Sequence, residues 1–63
     1  MSLVWFTDHT TGSRVAVNPK YVIAVFTPKE GPAEGYTVIS LVNGTIPVEE
    51  SELDVVTAIN GDS

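Results

Sequence analysis

The sequence predicts a β-rich α+β fold: a small antiparallel sheet or half-barrel of about five strands, followed by a short C-terminal helix. Three observations lead to this class. Short β-branched and aromatic runs recur along the chain between turn-forming residues. The pair Asn43-Gly44 stands between two such runs, which is a strong hairpin signal. The last apolar segment has helical spacing behind a group of carboxylates.

The first half of the chain predicts a hairpin, a tight turn and a central strand. The runs Leu3–Thr7 and Arg14–Val17 flank the polar loop Asp8–Ser13, so we expect them to pair. Asn18–Tyr21 contains a proline behind a capping asparagine, which indicates a tight turn or a single 3₁₀ turn. Val22–Thr27 is apolar on both faces, a pattern typical of a central strand covered above and below.

The second hairpin, Gly35–Val48, is the strongest local signal in the chain. Asn43 and Gly44 can both adopt the positive φ of a type I′ turn, which predicts a two-residue loop with Leu41 opposite Ile46. One face of the hairpin then carries a dense apolar set, consisting of Ile39, Leu41, Ile46 and Val48. The opposite face is half apolar and carries Tyr36, Val38, Ser40, Val42, Thr45 and Pro47.

Pro47 constrains this hairpin because it has no N–H for the strand ladder. In the two-residue loop it lies opposite Ser40 at a hydrogen-bonded position, and one ladder bond is lost. A four-residue loop, Val42–Thr45, directs the missing donor outward instead. Both alternatives predict that Thr45–Val48 is an edge strand.

Two flanking segments have contrasting compositions. Pro28–Gly35 holds two prolines, two glycines and three charges in eight residues, so we expect a mobile surface loop. Near the C-terminus, Ser51 with Asp54 three residues later is typical of a helix start, and Gly61 of a stop. The apolar arc of this helix is Leu53, Val55, Val56 and Ile59. Because β-branched residues are poor helix formers, a terminal strand remains the alternative.

Length and composition indicate one domain, residues 1–63, that is stabilised by association. A core of this size supplies only ~3–5 kcal/mol of net stability. Cysteine is absent and histidine occurs once, so we expect no disulfide, no zinc site and no cofactor. The hydrophobic content of 43% exceeds what a small monomer easily buries. We therefore expect a homo-oligomer.

The charge balance excludes several classes of partner. The net charge is −5, and the three basic residues Arg14, Lys20 and Lys29 are scattered singly, so we expect no nucleic-acid partner and no anionic membrane partner. No apolar run approaches the ~20 residues of a membrane span. The N-terminus lacks the basic region and cleavage site of a signal peptide. Together with the missing cysteines, this predicts a cytoplasmic location.

No group of residues predicts catalysis or metal binding. Asp8-His9 could make His9 a general base, but adjacent loop side chains rarely converge, so we expect two solvated turn residues. The acidic residues from Glu49 to Asp54 lack the alternate spacing of a calcium loop, and we expect a helix-start charge cluster. The glycines match no phosphate-binding loop. We predict that the protein is not an enzyme.

The aromatic residues favour the core and subunit contacts. They could stack bases or line a ligand groove, but they are spread over four elements without interleaved basic residues. The five are Trp5, Phe6, Tyr21, Phe26 and Tyr36. Combined with the half-apolar hairpin face, they predict a subunit or partner interface formed by Trp5, Tyr36, Val38, Val42 and Pro47.

From Arg14 to about residue 57 the pattern resembles the small flagellar proteins of the FlbD type. The shared motifs are V-x-V-N-x-x-x-I, T-x-I-x-L-x-N-G and V-x-E-S. They fall on Val15, Val17 and Asn18, on Thr37, Ile39, Leu41, Asn43 and Gly44, and on Val48, Glu50 and Ser51. The chain departs from the family in the longer Pro28–Gly35 loop and in Pro47. The resemblance implies a β-rich fold without catalysis.

These observations favour a non-enzymatic, homo-oligomeric interaction or structural accessory module. It would serve as a part of a larger bacterial or phage assembly, such as a flagellum or a phage particle, located in the cytoplasm or within that assembly. The alternative is a small-ligand-binding module that uses an aromatic groove near Trp5 and Tyr36.

Overall fold

The computed structural model describes residues 3–61, and within them it contains five strands, one 3₁₀ turn and one helix. The strands are β1 (Val4–Thr7), β2 (Arg14–Val17), β3 (Val22–Phe26), β4 (Thr37–Leu41) and β5 (Gly44–Val48). The 3₁₀ turn is Pro19–Tyr21, and the helix α1 is Glu52–Gly61. The predicted fold class, β-rich with a C-terminal helix, is confirmed.

The strands form two antiparallel sheets that meet at one seam. β1 pairs with β2, and β3, β4 and β5 form a three-stranded sheet in that order. Both predicted hairpins are therefore present. At the seam Asp8 pairs with Val48, and the Glu49 N–H donates to the Thr7 carbonyl at 2.9 Å. The end of β1 thus lies beside the end of β5.

The core lies between the two sheets and the helix. Its buried side chains come from every layer: Phe6 and Val17 from the first hairpin, Ile39 and Val48 from the three-stranded sheet, and Val55 from the helix. Full burial of an apolar side chain of this size stabilises the fold by about 1.5–3 kcal/mol. The predicted dense hairpin face belongs to this core, because Leu41 and Ile46 also pack against it.

The predicted register of the second hairpin is wrong by two residues. Leu41 lies opposite Gly44, so Val42 and Asn43 form the turn. Among the described residues only glycines have positive φ, so Asn43 does not take the type I′ conformation. In the observed register Pro47 lies opposite Val38, and its carbonyl accepts from the His9 N–H, away from β4. No β4–β5 ladder bond is therefore lost to the proline. A slip of two residues leaves each side chain on its predicted face.

β3 is an edge strand, which corrects the expectation that it is central. Only β4 pairs with it, and the register shifts between Val22 and Ala24. Ile23, at this irregularity, is 65% exposed. The central strand is β4, because the three-stranded sheet adds no further strand beyond β3. The expectation that β5 is an edge strand is confirmed by the same strand order.

The C-terminal segment is a helix, which resolves the helix-or-strand alternative. The Ser51 hydroxyl accepts from the Asp54 N–H at 3.1 Å, as predicted. Val55 is buried and Ile59 packs against the core, whereas Leu53 is 74% exposed. Leu53 lies outside the core because it stands about 160° around the helix axis from Val55. Among residues 3–61 no helix has the length and apolar character needed to cross a bilayer.

The two other predicted turns also have defined structures. Asn18 caps the 3₁₀ turn by accepting from the Lys20 N–H at 3.0 Å, which confirms that prediction. The loop 28–35 is held by local bonds, including Gly35 N–H to the Pro28 carbonyl at 3.2 Å. Its mobility remains a prediction.

Candidate interaction surface

The three-stranded sheet has a face that points away from the core, which we call the outer face. Residues in cross-strand register share a face of a sheet. The register therefore defines the outer face as two rows, Phe26–Val38–Pro47 and Ala24–Ser40–Thr45. None of the residues of β3, β4 and β5 is charged. The outer face is thus a neutral surface on a chain of net charge −5.

Burial on the outer face is uneven within a single chain. Val38, in the middle of its row, is only 6% exposed. Phe26, which is its neighbour on β3, is 44% exposed. Apolar area therefore remains accessible on the β3 side of the sheet, while the central position is already covered.

The structure brings together only part of the predicted interface. Val38 and Pro47 are direct cross-strand partners, and Tyr36 immediately precedes β4. Val42 lies in the β4–β5 turn and is 66% exposed. Trp5 belongs to the other sheet, where the Arg14 guanidinium lies 6.0 Å from its ring centroid. Trp5 is thus a separate surface feature.

The predicted interface omits two large apolar side chains of β3 that are exposed, Ile23 and Phe26. The pattern of Val22–Phe26 is apolar on both faces, which fits either a covered central strand or an edge strand with an open outer face. No feature within the segment distinguishes these two cases. The strand order decides between them, and it depends on contacts with β4.

His9 is not simply a solvated turn residue, which corrects that expectation. Its Nδ1 lies 2.7 Å from Glu49 Oε2, and its ring stacks on Tyr36 with a centroid distance of 3.6 Å. Asp8 instead accepts from the Thr10 N–H at 2.8 Å and forms a local turn. The carboxylate beside the imidazole is therefore Glu49, from a segment 40 positions away.

The His9–Glu49 pair joins two parts of the chain, and within residues 3–61 no hydrogen bond links the imidazole to a hydroxyl, thiol or amine. An imidazole held by a carboxylate can act as a general base when a hydroxyl, thiol or amine lies within reach. The hydrogen bonds of His9 within residues 3–61 go to Glu49 and to the Pro47 carbonyl. The geometry thus assigns His9 to the seam between β1 and β5.

The acidic residues around the helix start have separate partners. Glu50 accepts from the Thr7 N–H at 2.9 and 3.1 Å and from the Thr7 hydroxyl at 3.1 Å. Glu52 accepts from the Thr27 hydroxyl at 2.9 Å. In the described part of the chain, no group of three or more His, Cys, Asp or Glu side chains could hold a metal ion.

Comparisons of the chain with protein-family models, with curated proteins and with solved structures found no match. Function is therefore inferred from the residues and surfaces of this chain.

Proposed function

We propose that this protein is a non-enzymatic module that associates with copies of itself and serves as a structural accessory part of a larger assembly. The observation that carries this proposal is the exposed, uncharged apolar surface of the three-stranded sheet. Three large apolar side chains are exposed in the single chain: Ile23 and Phe26 on β3, and Val42 in the β4–β5 turn. Exposed apolar patches are typical of interaction sites, and these side chains lie on or directly beside strands that carry no charge.

The size of the chain supports the same proposal. The chain has 63 residues and no cysteine, so no disulfide adds to its core. Domains of this size have a net stability of ~3–5 kcal/mol unless a partner or a crosslink adds to it. Association with a second copy would stabilise the folded state by mass action, since only folded chains present the surface.

Electrostatics restricts where two copies can meet. Chains of net charge −5 repel one another over most of their surface. The strands β3, β4 and β5 carry no charged side chain, so contact there opposes no pair of carboxylates. The acidic residues Glu49, Glu50 and Glu52 lie beyond the end of β5.

Light scattering on the eluting peak of a gel-filtration column tests the proposal. We expect a mass that is a multiple of 6.7 kDa at micromolar concentrations and that falls on dilution. The melting temperature should rise with protein concentration, because association is linked to folding. A folded chain that stays at 6.7 kDa throughout this range contradicts self-association.

The alternative, a ligand-binding module, gains less support. Trp5 lies beside Arg14, whereas Tyr36 stacks on His9, so the two rings have different neighbours. Trp5 is the single tryptophan and is exposed, so its fluorescence reports on any ligand that stacks on it. A saturable fluorescence change with a small molecule, at unchanged mass, would favour this alternative.

A further inference from the structure

We propose that two copies of this chain associate by antiparallel pairing of their β3 edges, so that two three-stranded sheets become one continuous sheet. The inference rests on the proposed self-association and names the strand that mediates it. It differs from stacking of outer faces, in which the edges would stay free.

The other edge of the sheet, β5, is already occupied within the chain. The Pro47 carbonyl accepts from the His9 N–H at 2.8 Å, and Asp8 pairs with Val48. Pro47 has no N–H to offer to another strand. A second copy would have to displace the seam in order to pair with β5.

The backbone of β3 offers a free donor and acceptor at Val25. The Pro47 carbonyl points away from β4, so its cross-strand partner Val38 directs its own backbone groups toward β3. Phe26 is the β3 partner of Val38, and its backbone groups therefore face β4. By alternation the N–H and C=O of Val25 point outward. Within residues 3–61, no backbone hydrogen bond beyond the strand ladders reaches Val25.

β3 lacks two of the features that protect edge strands from pairing, a charged residue and a proline, although it has a register irregularity and α1 packs against it. Natural edges are blocked by lysine, proline, inward charges or bulges. The segment Val22–Phe26 has no charge and no proline. Its one irregularity is at Ile23, before the outward groups of Val25, so it leaves the second half of the strand regular.

The edge is complementary to itself, which favours a second copy as the occupant. A twofold axis at Val25 lets the N–H and C=O of Val25 bond those of Val25 in the second copy. Ala24 then lies opposite Phe26 of the second copy, a small side chain beside a large one on the outer face. Because β3 is neutral, chains of net charge −5 can approach along it.

Edge-directed variants of the full chain, compared by light scattering, test this contact. Ile23→Lys adds a charge at a side chain that is 65% exposed, so folding should persist. Thr45→Lys is the matched control, since it adds the same charge to an exposed position on β5. We expect at least a ~10-fold weaker association for Ile23→Lys only, equal to ~1.4 kcal/mol. Circular dichroism should show that both variants keep the fold.

Amide hydrogen exchange gives a second readout at the bond itself. The Val25 N–H should exchange at least ~10-fold more slowly in the associated state than in the dilute monomer. The Thr45 N–H, which points outward from β5 by the same alternation, should exchange at the same rate in both states. An associated protein with a rapidly exchanging Val25 amide, or one unaffected by Ile23→Lys, overturns the β3 contact and leaves self-association standing. A wild-type chain that stays monomeric overturns both.

Discussion

The two edges of the three-stranded sheet differ in the hydrogen bonds that they make with the rest of the chain. β5 is joined to the end of β1 by the Asp8–Val48 pairing and by the bond from the His9 N–H to the Pro47 carbonyl. β3 pairs with β4 alone, and Ile23 on it is largely exposed. One edge is hydrogen-bonded to another part of the molecule, whereas the other pairs with no second strand and has α1 packed against it.

This difference shows where the chain uses its polar contacts. Glu50 and Glu49, just after β5, bind Thr7 and His9 and so hold the seam. Beside β3, the side-chain contact is the bond from Thr27 to Glu52, which is exposed. Polar contacts over long sequence separations thus stabilise the β5 edge. The β3 edge keeps the neutral, apolar character that the proposed association would need.

The largest expected loss of stability is for a substitution in β4, the strand that pairs with both β3 and β5. Ile39 on β4 lies opposite Val25 of β3 and Ile46 of β5, and it is fully buried. Ile39→Ala should lower the free energy of unfolding by about 2–5 kcal/mol, because it leaves a cavity in the core. Urea denaturation at fixed protein concentration measures this loss.

Val42→Ala is the control for this prediction, because Val42 is exposed in the adjoining turn. It should change the free energy of unfolding by no more than about 0.5 kcal/mol. Equal losses for the two variants would contradict the placement of Ile39 in the core and of Val42 outside it.

The parts of this fold that depend on near neighbours could be predicted from the sequence. Ser51 caps the helix because its hydroxyl is three residues from the N–H of Asp54. Asn18 caps the 3₁₀ turn in the same local way. The two faces of the second hairpin were predicted although its register was wrong. Strand alternation has a period of two, and the slip was also two.

The features that the sequence predicts wrongly depend on contacts between residues that are distant along the chain. In the observed register the Pro47 carbonyl accepts from the His9 N–H, and no residue within the hairpin predicts that contact. The status of β3 as an edge depends on how many strands the sheet has, which the pattern of one strand does not encode. For the same reason the sequence does not predict the pairing of His9 with Glu49, which lies 40 positions away. Of the predicted interface residues, Trp5 lies on the other sheet, and the interface itself stays a prediction.

A smaller loss of stability is expected for a substitution at Glu50, whose carboxylate binds Thr7 at the seam between β1 and β5. Its carboxylate receives three hydrogen bonds from Thr7, and the contact is partly buried. Glu50→Ala leaves the Thr7 N–H without its acceptor, which should cost about 1–3 kcal/mol in the free energy of unfolding. Glu52→Ala removes an equal charge from an exposed contact and should cost less than about 1 kcal/mol. If both variants lose the same stability, Glu50 acts through net charge and not through the seam.

The His9–Glu49 pair should contribute less than Glu50. Both side chains are partly exposed, and exposed ion pairs contribute about 0–1 kcal/mol. Glu49→Gln should therefore lower the free energy of unfolding by less than about 1 kcal/mol, and it should raise amide exchange at His9, whose N–H bonds the Pro47 carbonyl. Exchange at Val25 should stay unchanged, because β3 lies across the sheet. Equal acceleration at both amides would mean that the two edges are not independent.

Local opening of the loop 28–35, which follows β3, should cost less free energy than the losses predicted above. Its hydrogen bonds join near neighbours only, from Glu34 to Gly31 and from Gly35 to Pro28. Segments of this kind open at almost no cost, whereas strands open at a cost close to that of global unfolding. Trypsin should therefore cut first after Lys29, while Arg14 in β2 and Lys20 in the 3₁₀ turn stay protected.

The measured quantity is the rate of trypsin cleavage at each peptide bond in the native chain, divided by the rate at the same bond in the urea-unfolded chain. This ratio removes the preference of the protease for particular neighbouring residues. In Lys29→Gln the fast cut should disappear, and the remaining cuts after Arg14 and Lys20 should follow the population of the unfolded state. Association through β3 would leave the loop accessible, so the cut after Lys29 should persist at high concentration. Protection of Lys29 that appears only on association would mean that the loop, and not the β3 backbone alone, belongs to the contact between copies.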